Sequence, residues 1–206
     1  MAESCPYLGV TVSSDLRWHH HINFQTVQTG TRTLNFIRWN IYGCSHEAKV
    51  LAYASLVRPH LEYASAVWDP YTATDSNKLE KVQRRAERFV RRDYRRTASA
   101  SQLISELGWQ SLAERRKTSR LTLLYKAING FVAILMDELE HTSRCTRHCG
   151  PDAFITLQSR VDAYKFYFFP RTVTKNSLPS SARSTPSVNS FKTALHRLSG
   201  VTDSHH

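Results

Sequence analysis

The segment from Thr74 to Arg92 restricts the fold more than any other part of the chain. Its apolar residues Leu79, Val82, Ala86, Phe89 and Val90 recur every three or four positions. At roughly 100° per residue they occupy about one third of a helix circumference, and Lys81, Arg84, Arg88 and Arg92 gather on the opposite side. A helix that is apolar along one side must bury that side against other elements. Thr74 or Asp75 is the expected N-cap, and the helix is expected to end near Arg92.

Caps and helical periods extend on both sides of this segment. Upstream, Ile22, Val27, Leu34, Ile37 and Ile41 follow a helical spacing that Gly30 weakens in the middle. Ser45 is a good N-cap with Glu47 in the first turn, and an apolar band from Val50 to Val57 runs into Arg58-Pro59. The proline should kink or end that helix, with Leu61 to Trp68 continuing the apolar character and Asp69-Pro70-Tyr71 forming a turn. Downstream, Ser99 with Gln102 and Ser111 with Glu114 match the capping-box pattern, and Gly108 and Gly130 stand where C-terminal caps belong. These signals predict helices near 99–107 and 111–129, with another turn or two from Phe131 to about Glu140.

Strand signals are few. Tyr7 to Val12 reads as one strand, and Ala163 to Phe169 as a strand-like island before Pro170. A last amphipathic piece holds Val188, Phe191, Ala194, Leu195 and Leu198. The expected fold is mainly α, a helical bundle preceded by one short β-strand and followed by an irregular C-terminal extension. Three regions are expected: a strand and turn over 1–18, a helical domain over 19–140, and a loosely packed extension over 141–206.

Twenty-eight Lys and Arg against 17 Asp and Glu give a formal charge of +11, which suits a polyanionic partner, usually nucleic acid. Residues 1–73 balance five bases with five acids, whereas residues 74–126 hold 14 bases and six acids, a net of +8. Each Arg can pair bidentately with a phosphate, and a one-sided row can follow a phosphate backbone. A solvated helix face is the plainer alternative, but one sign dominates too strongly for a lacing of surface salt bridges. The candidate contacts are Lys81, Arg84, Arg85, Arg88 and Arg92, with Arg115, Arg116 and Lys117 next in line. The first thirty residues lack the apolar core of a secretory leader, and the longest apolar run, Phe131 to Met136, is far short of a membrane span. With four cysteines in no regular framework, an intracellular setting, nuclear or cytoplasmic, is expected.

Catalytic signatures are not visible. There is no Gly-rich phosphate loop, no Gly-x-Ser-x-Gly and no His-Glu-x-x-His. Asp137-Glu138 is the one acidic doublet, and two-metal phosphoryl transfer needs clustered carboxylates. His141, Cys145, His148 and Cys149 lie close together, but structural zinc sites repeat such a pair at a distance, so chance in a Ser/Arg-rich loop accounts for them better. No catalytic residue, metal or cofactor is expected.

Five blocks in order carry a resemblance. Tyr7-Leu8-Gly9-Val10, followed by Leu16-x-Trp18 and His21-Ile22, resembles the segment just after the palm in non-LTR (LINE-type) retrotransposon reverse transcriptases. Leu56-Val57-Arg58-Pro59-His60-Leu61-Glu62-Tyr63-Ala64 with Val67-Trp68-Asp69-Pro70, then Lys78 to Ala86, resemble the next two blocks. Leu107-Gly108-Trp109-x-Ser111-Leu112 with Glu114-Arg115-Arg116, and Phe168-Phe169-Pro170-Arg171-Thr172, complete the series. In such enzymes the palm holds metal through a Tyr/Phe-x-Asp-Asp motif, and the helical thumb that follows grips the template–primer duplex. The resemblance therefore implies a thumb with a C-terminal extension, the palm and endonuclease missing, and residues 1–18 a remnant of the palm edge. It implies a duplex as partner, the palm domain as a second, and no polymerase activity by this chain alone. One departure is that Lys175-Asn176-Ser177 precedes Leu178-Pro179, where the family commonly shows Trp-Asn. The alternative expectation is a basic helical relic or protein-interaction module without a nucleic-acid role.

Overall fold

Strand β1 (Ser4–Tyr7) turns at once into β2 (Val10–Ser13), and the two pair antiparallel with Tyr7 opposite Val10. Leu8 and Gly9 both take positive φ, 46° and 78°. That conformation suits a two-residue type I′ hairpin, whose twist matches the flanking strands. One strand was expected across these residues; the left-handed pair splits it in two, and the chain supplies its own pairing partner. All of β1 is exposed while Val10 and Thr11 on β2 are buried. The Tyr63 hydroxyl donates to the Leu8 carbonyl at 3.0 Å, tying the hairpin tip to the helices.

The computed structural model describes residues 4–94, 107–134, 160–174 and 185–198, which group into two units, Met1–Arg116 and Lys117–His206. The first unit is built of helices. A widened π-helical segment, His21–Val27, continues into α1 (Gln28–Asn40). Gly30 is required there rather than tolerated, because a Cβ would stand 2.7 Å from Leu61 Cδ2 in the core. Ser45 caps α2 (His46–Ala52), its hydroxyl accepting the Ala48 N–H at 3.3 Å. A second π-helical segment, Tyr53–Val57, leads into α3 (Arg58–Glu62), so the helix passes Pro59 through widened turns instead of stopping at it. After a short α4 (Ser65–Trp68) comes α5 (Ala73–Arg91), capped by Thr72 and not by Thr74 or Asp75. Thr72 Oγ1 accepts the Asp75 N–H and donates to the Asp75 carboxylate, a reciprocal cap two residues earlier than expected.

Every apolar residue of the α5 stripe is buried, at 3% exposure or less, together with Ile22, Leu34, Ile37, Val57, Leu61, Trp68 and Leu112. Helix α6 (Leu112–Ile128) starts after Ser111, whose hydroxyl accepts the Glu114 N–H. It ends in a Schellman cap: Gly130, at φ 70°, donates to the Ala127 carbonyl and Phe131 to that of Lys126.

In the second unit, α7 (Asp162–Lys165) precedes α8 (Phe168–Thr174), and α8 and α9 (Val188–Leu198) build two small clusters with the later part of α6. Leu124 packs with Phe169 and Val173, and Tyr125 with Phe191 and Leu195. The island Ala163–Phe169, expected as a strand, falls in α7 and α8 around a turn at Phe166 and Tyr167. Pro170 falls in the first turn of α8, where a missing N–H is harmless, and Phe169 and Val173 share one buried side. The amphipathic piece at 188–198 is the helix its spacing predicts. Nearly all of the expected helix near 99–107, the end of the 131–140 stretch and residues 141–159, 175–184 and 199–206 of the extension lie outside the described residues, as does the expected boundary at 140/141. Overall the described chain is mainly α, with the hairpin as its β element.

Candidate nucleic-acid interface

Helix α5 sets the geometry because its apolar side is fixed in the core. Lys81 and Arg85 are exposed, and Arg84 and Arg88 are half-buried. By helical register the four fall within about 100° of arc, and from Lys81 to Arg88 they extend about 10 Å along the axis. No ion pair joins any of the four to another described residue.

The acids of the same helix are drawn elsewhere. Asp75 is buried, and its carboxylate takes hydrogen bonds from Lys78 Nζ at 3.1 Å and Thr72, with His19 Nδ1 at 2.8 Å. Burial alone would push its pKa up; the Lys78 and Thr72 hydrogen bonds outweigh that and hold it below the usual carboxylate value. Glu80 caps α6, accepting the Leu112 and Ala113 N–H groups at 3.4 and 2.8 Å. Glu87 is fully buried. What α5 turns to solvent is therefore mainly cationic, and its one half-exposed carboxylate, Glu80, is engaged with the start of α6.

Two of these features were missed in the sequence. Gln83 and Glu87 are buried alongside the apolar stripe, Gln83 donating to the Gln110 carbonyl at 2.9 Å. Their positions, four and eight residues after Leu79, place them about 40° and 80° round from it, beside the apolar arc and not within it, so the register gave only part of the signal.

The remaining candidates do not join the row. Arg92 has left the helix in a left-handed conformation, φ 55°. Its Nη2 donates to the Tyr42 carbonyl at 2.9 Å and its guanidinium lies 5.3 Å from the Tyr42 ring centre. Beneath it, Lys49 is buried with its amine 5.2 Å from the Phe89 ring centre, and burial and then Arg92 push the pKa of that amine down. Arg116, a phosphate contact on sequence grounds, is enclosed instead. It is 1% exposed, with Nε on Asp69 Oδ1 at 2.8 Å and Nη2 on Ser76 Oγ at 3.1 Å. Arg115 is held bidentately by Glu62, which fixes its positive charge more firmly. Lys117 is exposed, so three consecutive bases fan to three environments. The sequence counts charges but does not say that Glu62 and Asp69 come back to meet them.

Among the described residues no group of three His, Cys, Asp or Glu converges as metal ligands, and the cluster at His141, Cys145, His148 and Cys149 lies outside them. No described helix is long and apolar enough to cross a membrane. No protein-family model, curated protein or solved structure matches the chain.

Proposed function

We propose that the chain is a non-catalytic, thumb-like module of the non-LTR reverse-transcriptase type, which holds a template–primer duplex by its phosphates through Lys81, Arg84, Arg85 and Arg88. The observation that carries this reading is the segregation of charge on α5. Four cations with no ion pair among the described residues line the solvent side, while Asp75 and Glu87 are buried and Glu80 caps α6. A solvated face with no partner gains nothing from such one-sidedness, whereas a polyanion does. Two of the blocks that carry the resemblance lie in contact in the fold. Glu62 and Asp69 of one block pair with Arg115 and Arg116 of a later one, and Trp68 Nε1 donates to the Tyr63 carbonyl at 2.7 Å.

Arg and Lys on a smooth helix face contact phosphates without reading base edges, so binding is indifferent to sequence. The test is the affinity of the full chain for a blunt duplex across a salt series, repeated with the base sequence shuffled. A steep fall of affinity with salt, equal for both sequences, is expected. Incubation with template, primer, nucleotides and magnesium or manganese is expected to give no extension, since the sequence has no paired aspartates to hold two metal ions. Salt-independent or absent duplex binding, or templated extension, would overturn the proposal.

A further inference from the structure

Helix α1 presents a second face that the duplex reading does not use. Leu34 and Ile37 are buried, while Gln28, Arg32, Asn35, Phe36 and Trp39 are exposed and fall within about 100° of arc on the opposite side. Trp39 is 88% exposed and Phe36 64%, the two standing one helical turn apart. Single exposed apolar residues need no explanation. Two large aromatic rings on one face, with no aliphatic residue beside them, do.

The company these rings keep identifies their occupant. From Leu16 to His46 the sequence contains no Asp or Glu, but has Arg17, Arg32 and Arg38. A helix that docks in a protein groove carries apolar anchors over two or more turns; here the two rings span a single turn, and the rest of the face, Gln28, Arg32 and Asn35, is polar. Past the end of α1 comes Tyr42, 57% exposed, and over its ring lies Arg92, the residue that closes the basic helix α5. Tyr42 thus joins the end of α1 to the residue that closes α5.

We propose that the exposed face of α1 stacks unpaired bases of single-stranded nucleic acid on Trp39 and Phe36, with Arg32 beside them for the backbone. Base–aromatic stacking is sequence-tolerant, because every base has a flat face, and is energetically separate from phosphate contacts. The site is distinct from the α5 row, and neither depends on the other being correct.

The test uses the full chain with a labelled twenty-nucleotide oligo-dT and, in parallel, a blunt duplex. Trp39→Ala is expected to weaken oligo-dT binding about tenfold, within the range of one base–aromatic contact. The salt slope should stay unchanged, Trp39→Phe should restore much of the affinity, and duplex binding should be untouched by either variant. Because Trp39 is nearly fully exposed, the fold should tolerate both changes, which circular dichroism checks; Phe36→Ala provides a second, independent variant. Oligo-dT affinity unchanged in both alanine variants would overturn the proposal. So would self-association of the native chain that Trp39→Ala abolishes while oligo-dT affinity stays the same, which would assign the face to contacts between copies. Loss of duplex binding on replacing the α5 cations bears only on the α5 reading.

Discussion

Arg85 and Arg116 carry the same guanidinium into opposite environments. Arg85 stands in solvent on α5; Arg116 is enclosed against Asp69 and Ser76. Exposed charges contribute little to stability, and removing one partner of a buried pair strands the other in low dielectric. Arg116→Ala is therefore expected to lower unfolding free energy by about 3–5 kcal/mol, and Arg85→Ala by less than about 0.5 kcal/mol. Urea unfolding of the two variants measures both; equal, small losses would show that the Asp69–Arg116 pair does not anchor the fold. Sequence reasoning treated the two arginines alike because net charge and spacing contain no information on partners distant in the chain. It succeeded where the requirement was local: Ser45, Ser111 and Gly130 all cap as their residue types demand.

At the scale of elements, periodicity located the helices well, and their ends and the weak strands less so. The α5 stripe was legible because five apolar residues repeat at helical spacing from Leu79 to Val90. The hairpin was not, because Leu8 is an unusual residue for a left-handed turn position and gives no turn signal. Residues 163–169 misled for the opposite reason: their aromatic content favours strands, and packing of Phe169 and Val173 decides for helix. The hairpin's attachment has a consequence in pH. The Thr11 N–H donates to His21 Nδ1 at 3.2 Å, which requires a neutral ring, with the other nitrogen 3.5 Å from Thr26 Oγ1. Burial, and then the neighbouring His20, push the His21 pKa below its ordinary 6.5, while the Trp68 ring covers one side. The unfolded chain then binds the extra proton more readily. This contribution to stability is complete above pH 6.5 and is lost as pH falls below it. An NMR titration of the His21 ring is expected to show a midpoint below 6.5, with Thr11 amide exchange accelerating as the ring protonates. A midpoint at or above 6.5 would mean that the latch is not built on a neutral imidazole.

For the molecule as a whole, the mainly α architecture and the position of the basic helix were legible, because both follow from short-range pattern. The purity of the basic face was not. It depends on where Asp75, Glu80 and Glu87 turn, and only the packed structure brings Glu80 to the start of α6 and encloses Glu87. Helix α5 is long enough to offer four cations over about 10 Å, and Arg92, counted with them on spacing alone, closes the helix against Tyr42 instead. The central claim is that this face, and not overall basicity, meets the duplex. The most direct measurement is the salt dependence of duplex affinity for the native chain and for Lys81→Gln, Arg84→Gln, Arg85→Gln and Arg88→Gln combined. Gln is nearly as good a helix former as Arg, so helicity by circular dichroism should be preserved. With about 0.9 of slope lost per phosphate contact, the log–log slope should flatten by about 3–4 units if all four cations touch phosphate. An unchanged slope with helicity intact would contradict the account and move the interface away from α5.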